Sequence, residues 1–177
     1  MNEIMMMMHH LSQPEYVHVL LNPMPLYGMA AGAFLLAWSQ LYPPLVALIG
    51  DDTRTGDSGS RNHSKEFPNG VLVWIILVAV ITGLAVYFGE RGFENVGVIA
   101  DAHGNRWLAR HKERAETLMY IFYLTGFSAL GALFTQRHHP LTALRLVWLT
   151  LFLTVASMGA AAWISHAGGQ VMHAEFR

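Results

Sequence analysis

V-L-V-W-I-I-L-V-A-V-I-T-G-L-A-V-Y-F-G, running from Val71 to Gly89, contains no Asp, Glu, Lys, Arg or Pro. A helix needs about 20 predominantly apolar residues to cross the hydrocarbon core of a bilayer. Inside lipid every backbone N–H and C=O must find its partner within the segment, so such a stretch reads as a transmembrane helix. Three more stretches share its character: Val17–Gly50, Thr117–Gln136 and Leu146–Gly169 all lack a charged side chain. Together they predict one domain with crossings over about 20–49, 71–89, 115–135 and 141–165, an all-α integral membrane four-helix bundle with both termini on the same side. Charged residues make up 13% of the chain against about 25% in soluble domains, and the deficit lies in these stretches.

Working outward, the first crossing carries Pro23 and Pro25 in its opening turns, where proline is tolerated or kinks a helix. Gly28 and Gly32 form a G-x-x-x-G pair that lets helices approach closely. Pro43 and Pro44 predict a second kink or an early exit. The segment before this crossing has no Lys or Arg and no small-residue cleavage site, so the crossing reads as a retained span rather than a secretory signal. Met5–Met8 reads as an irregular start, with a copper-binding Met/His tract including His9 and His10 as the alternative. Asp51–Gly70 is a polar connector, and Glu90–Arg114 a longer loop, with Gly104-Asn105 capping a helix that begins near Arg106 and continues into the third crossing. Lys112 and Glu116 can pair across one turn of that helix. Gln136–Pro140 is too short for anything but an antiparallel hairpin. In the last crossing Ser157, Ala161 and Ser165 recur every four residues as a packing face, and Gly168-Gly169 ends the helix.

Threading the chain through four crossings collects His18, Glu90, Glu94, His103, His111, Glu116, His166 and His173 on one membrane face, and only His63, His138 and His139 on the other. The absence of cysteine removes disulfides, thiolate metal sites, iron–sulfur clusters and covalently attached haem. Any metal or haem would therefore be held by imidazole, thioether or carboxylate.

Three segments carry a family resemblance. H-V-L-L-N-P-M-P-L-Y-G, His18–Gly28, resembles the H-x-L-L-N-H-F-P-x-x-G start of helix one in a family of uncharacterised bacterial four-helix membrane proteins. G-E-R-G-F-E-N-V, Gly89–Val96, with H-K-E-R-A-E, His111–Glu116, resembles that family's G-E-P-A-E-E-x-V turn and H-E-E-A-A-E start of helix three. H-A-G-G-Q-V-M-H-A-E, His166–Glu175, resembles its H-x-G-G-Q-I-x-H-P-E tail. The resemblance implies the fold and a bacterial membrane, and no activity. Pro23 stands where the family has a histidine, so one polar group of the pattern is missing.

A b-type haem needs two axial side chains from different helices at an apolar slot. His18, His111 and His166 stand at the ends of three crossings on the same side, with His173 as a substitute. Glu90, Glu94 and Glu116 are available as hydrogen-bond acceptors for the ligands, and Arg106, Arg110 or Arg114 as partners for the propionates. No histidine lies in mid-span, so a haem would be single and close to one face, where a c-type cytochrome or a quinone head-group could meet it. The expected function is thus a membrane subunit of a redox or electron-transfer complex carrying one haem b, an electron-transfer rather than a catalytic subunit.

Two alternatives stay open. One is a non-haem metal site on His18, His111 and His166 with carboxylates, though His111 and Glu116, five apart, lie far apart around a helix. The other is a cofactor-free structural or assembly subunit that docks into a larger membrane complex through its small-residue faces. His9, His10, His63, His138 and His139 read as solvated interfacial groups, and Trp107, Trp148 and Trp163 as an interface belt. There is no G-x-S-x-G, phosphate loop or H-E-x-x-H motif, and no acid at a span centre to mark a pump. A net charge of −1 argues against a nucleic-acid partner. The expected surroundings are membrane lipid and other complex subunits in a bacterial inner (cytoplasmic) membrane. Six Lys or Arg on the histidine face against five opposite leave orientation nearly balanced, and the uncharged flank before the first crossing tips the histidine face to the extracytoplasmic side.

Overall fold

The computed structural model describes residues 3–49 and 68–172. All its elements are helices: α1 (Glu3–Leu11), α2 (Pro14–Leu21), α3 (Pro23–Ile49), α4 (Asn69–Ile99), α5 (Ala102–Thr135) and α6 (Pro140–Met172). Four helical stretches are long and apolar enough to cross a membrane: Pro14–Tyr42, Asn69–Ile99, Ala102–Thr135 and Pro140–Val171. The chain is a multi-pass helical membrane protein.

The first crossing begins earlier than the hydropathy suggested, at Pro14, and is interrupted at Asn22. Asn22 N–H still closes a turn on the His18 carbonyl, at 2.8 Å. Pro23 has no N–H to continue the ladder, so α2 stops there and α3 starts afresh. Helix α3 then runs through Pro43-Pro44 to Ile49.

Helices α4 and α6 each pack against both α3 and α5, giving a square bundle with α3 and α5 on one diagonal. Small residues set the spacing. Gly28 lies against Val78 and Gly32 against Ile75, and the Trp74 indole donates to the Gly28 carbonyl at 2.9 Å. A Cβ on Gly126 of α5 would come within 3.0 Å of the Ala79 Cβ of α4. Between α5 and α6 the Thr125 and Ser157 hydroxyls meet at 3.0 Å, and so do those of Ser128 and Thr150. Each cross-helix bond of this kind contributes on average about 0.6 kcal/mol in a membrane. The apolar core around them includes Met29, Leu36, Leu72, Ile75, Val78, Phe122 and Val147. Phe127, Phe134, Leu141 and Phe152 face outward, as lipid-bathed side chains should.

Four expectations are corrected. Glu90–Arg114 is not a loop: α4 continues to Ile99 and α5 begins at Ala102, leaving only Ala100 and Asp101 between them. The cap of α5 is Asp101, whose carboxylate accepts from Gly104 N–H at 2.6 Å, rather than Gly104-Asn105. Gly168-Gly169 does not end α6, which goes on to Met172. Met5–Met8 lies in a helix, with all four side chains exposed. The crossing helices contain 29 to 34 residues, which at 1.5 Å per residue exceeds the hydrocarbon thickness of about 30 Å. The charged turns of α4 and α5 are therefore helical extensions beyond the lipid, and they wall a chamber at the membrane surface.

Candidate functional site

The chamber lies where α2, α4, α5 and α6 meet, at the end of the bundle away from the α5–α6 hairpin, and encloses about 480 Å³. Its lining follows helical periodicity. Leu108, His111, Lys112, Ala115 and Phe122 come from α5, and Ala161, Ile164, Ser165, Gly168 and Val171 from α6. Helix α4 adds Thr82, Ala85, Val86, Gly89 and Phe93, and α2 adds Glu15, Tyr16, His18 and Val19 across the top. The wall is mostly apolar, with two imidazoles set into it.

Those imidazoles belong to His18 and His111. Their ring centroids are 5.9 Å apart and their planes stand at 80°. His18 Nδ1 lies 2.7 Å from the Ala85 carbonyl oxygen, and His111 Nδ1 lies 2.9 Å from that of Ile164. A carbonyl only accepts, so both Nδ1 atoms carry the proton. In the neutral form each ring then keeps its lone pair on Nε2.

The two contacts are built alike. Gly89 stands four residues after Ala85, and Gly168 four after Ile164, so each accepting carbonyl also takes the intrahelical bond of its glycine. The glycine makes room for the ring. A Cβ at Gly89 would lie 2.7 Å from His18 Nδ1, and one at Gly168 would lie 3.1 Å from His111 Nδ1. Each helical hairpin thus holds a histidine near its first helix's outer end, pinned to a glycine-bared carbonyl of its second helix. Helix α2 is fastened further by Asn95, which donates to Glu15 at 3.3 Å, and by Gly92, where a Cβ would meet the Glu15 backbone within 3 Å.

Of the other residues marked by the sequence, Glu116 lines the same chamber, paired with Lys112 at 3.7 Å. It does not serve the histidines, whose Nδ1 atoms are taken by main-chain carbonyls. Glu90 and Glu94 are both exposed, and of the two only Glu90 lines the chamber. His166, Arg110 and Arg114 lie outside it. His166 is exposed, stacked on Trp163 at 6.3 Å and edge-on to Trp107 at 5.9 Å. Arg110 covers the Trp107 ring at 4.8 Å, and Arg114 covers Trp163 at 4.0 Å and donates to the Trp163 carbonyl at 2.8 Å. His103 is a surface acceptor for Trp107 Nε1, at 3.0 Å. His173 lies outside the described residues. Among the described residues, no three His, Asp or Glu side chains converge on a common point.

Lys112 is the basic side chain that turns into the chamber, its ammonium 4.9 Å from the centre of the Phe93 ring. The sequence reading passed over it for the arginines, although the 3.6-residue period separates them. Positions 108, 111, 112, 115 and 122 share one face of α5, and Arg110 and Arg114 another. The glycine-backed carbonyls were also missed, because main-chain acceptors leave no letter in a sequence.

Comparison with protein-family models, curated proteins and solved structures finds no match to this chain.

Proposed function

We propose that this protein is a redox or electron-transfer subunit of a membrane complex, binding one b-type haem at one membrane face, with His18 and His111 as the residues that would hold it. The observation that carries the reading is the imidazole pair: two rings from different crossings, 5.9 Å apart, each locked through Nδ1 with its Nε2 lone pair available. Imidazole is a common ligand of haem iron, and both rings line the same chamber. The hydrogen bond at the far nitrogen is the usual support of a ligating histidine, fixing its tautomer and orientation.

The chamber also suits the group. Its 480 Å³ falls in the range of small-molecule and cofactor sites, and its wall is mostly apolar, with Glu15, Glu90, Lys112 and Glu116 adding charge to the two imidazoles. A non-haem ion would need further protein ligands, and no third His, Asp or Glu joins the pair among the described residues. A porphyrin brings its own equatorial nitrogens. Bound there, it would supply one-electron redox chemistry. The protein would hold it in place, exclude water and present its edge at the membrane surface. His18 and His111 would be the ligands, and Lys112 would be the cation available to a propionate. A peripheral c-type cytochrome or a quinone head-group could exchange electrons from there. A bacterial inner membrane, with the histidine face extracytoplasmic, belongs to the same proposal.

The absorption spectrum of the detergent-purified full chain tests it. A Soret band that shifts on dithionite reduction is expected, and it should be lost in His18→Ala and in His111→Ala but kept in His166→Ala. A flat spectrum from a helical, haem-supplemented protein overturns the proposal and leaves a structural subunit.

A further inference from the structure

The residues that turn away from the chamber form a second assembly, on the outer surface of α5 and α6. Arg110, Trp107, His166, Trp163 and Arg114 make a continuous chain of ring contacts in that order, with each cation over an indole face and the imidazole stacked on Trp163 and edge-on to Trp107. Arg110 and Arg114 are one helical turn apart, and like charges at that spacing repel. No carboxylate lies within 4 Å of either guanidinium among the described residues, the Lys112–Glu116 bridge being the ion pair found there. The groove between them is lined by Arg110, Glu113, Arg114, Thr117, Leu118 and Trp163.

We propose that this groove binds the phosphate of an anionic glycerophospholipid, clamped between Arg110 and Arg114. Depth argues for it: Thr117 opens the uncharged stretch of α5, so the guanidiniums sit where hydrocarbon gives way to head-groups. Tryptophans belong at that level. Arginine matches phosphate geometry with paired N–H donors, and a bound anion relieves the repulsion between the two side chains. Arg114 is already held in place by the Trp163 carbonyl and ring. A free phosphate would use only the groove. A lipid would also cover the exposed stripe Tyr120, Leu124 and Phe127, which continues the Glu113–Thr117 face of α5 into the hydrocarbon. Glu113 opposes the binding and tunes it.

The test is tryptophan quenching of the full chain in phosphatidylcholine vesicles doped with acyl-brominated phosphatidylglycerol or, separately, acyl-brominated phosphatidylcholine. The expected result is stronger quenching by the brominated phosphatidylglycerol at equal mole fraction. Arg110→Gln and Arg114→Gln should each lower that preference roughly fivefold, Glu113→Gln should raise it, and Trp163→Phe should remove most of the differential signal. Among the described residues the Arg110 side chain makes no hydrogen bond to the backbone, so its loss can be read apart from that of Arg114, which does. Equal quenching by the two lipids overturns the proposal. A preference abolished by inorganic phosphate assigns the groove to a free anion and overturns it too.

Discussion

An imidazole and a glycine, set against each other on neighbouring helices, are the smallest unit of this protein's chemistry. In an α-helix the carbonyl of residue i−4 already accepts one hydrogen bond, and its second lone pair is usually screened by the side chain of residue i. Removing that side chain at Gly89 and Gly168 exposes the Ala85 and Ile164 carbonyls to His18 and His111. The two glycines differ in tightness, and that gives an ordered prediction. A methyl at Gly89 would stand 2.7 Å from the ring, so Gly89→Ala must displace His18, whereas at 3.1 Å Gly168→Ala asks His111 to move only a few tenths of an ångström. On the proposed function, the Soret absorbance per protein should therefore fall further in Gly89→Ala than in Gly168→Ala. Equal retention in both would contradict the role given to these contacts. His18 and His111 were legible as candidates because histidine is a visible letter at a span end. The carbonyl partners were not, because every residue has one and packing alone decides which is bared.

The helices run longer than their apolar stretches, and the excess is what builds the chamber. Hydropathy marks where lipid ends but not where a helix ends. Glu90, Arg91 and Glu94 continue α4 because charged side chains are good helix formers once outside the hydrocarbon. Gly168-Gly169 does not stop α6 because the helix is held there by packing against His111, which outweighs a glycine penalty of about 1 kcal/mol. The α4–α5 connection is only Ala100 and Asp101, and the Asp101 carboxylate satisfies the otherwise free N–H of Gly104 in the first turn of α5. Replacing an N-cap aspartate by alanine costs about 1 kcal/mol. Asp101→Ala should accordingly speed amide exchange in the first turn of α5, around Gly104, while exchange near Thr125 stays unchanged.

Across the bundle two helical hairpins face each other, and α2, the outer part of the first crossing, lies along α4 and closes that side of the chamber. That closure depends on Gly92, whose missing side chain lets the Glu15 backbone lie directly on α4. Main chain cannot yield as a side-chain tip can, so Gly92→Ala should lift α2. Overpacking of this kind costs typically 1–3 kcal/mol. Faster amide exchange over Pro14–Leu21, with the bundle centre unaffected, is the expected outcome, and unchanged exchange there would rule out the anchoring of α2 through Gly92. The sequence by itself determined that this is an all-helical chain with four apolar crossings, because lipid leaves the backbone no partner but its own. It also determined that the polar residues divide unequally between two faces, because that follows from counting crossings. Only the tertiary structure decided which of those polar groups look inward. The rotation of α5 and α6 about their axes is set by contacts such as Thr125–Ser157 and Gly126–Ala79. With 100° between successive residues, that setting turns His111 and Lys112 into the chamber and Arg110, Arg114 and His166 out toward lipid.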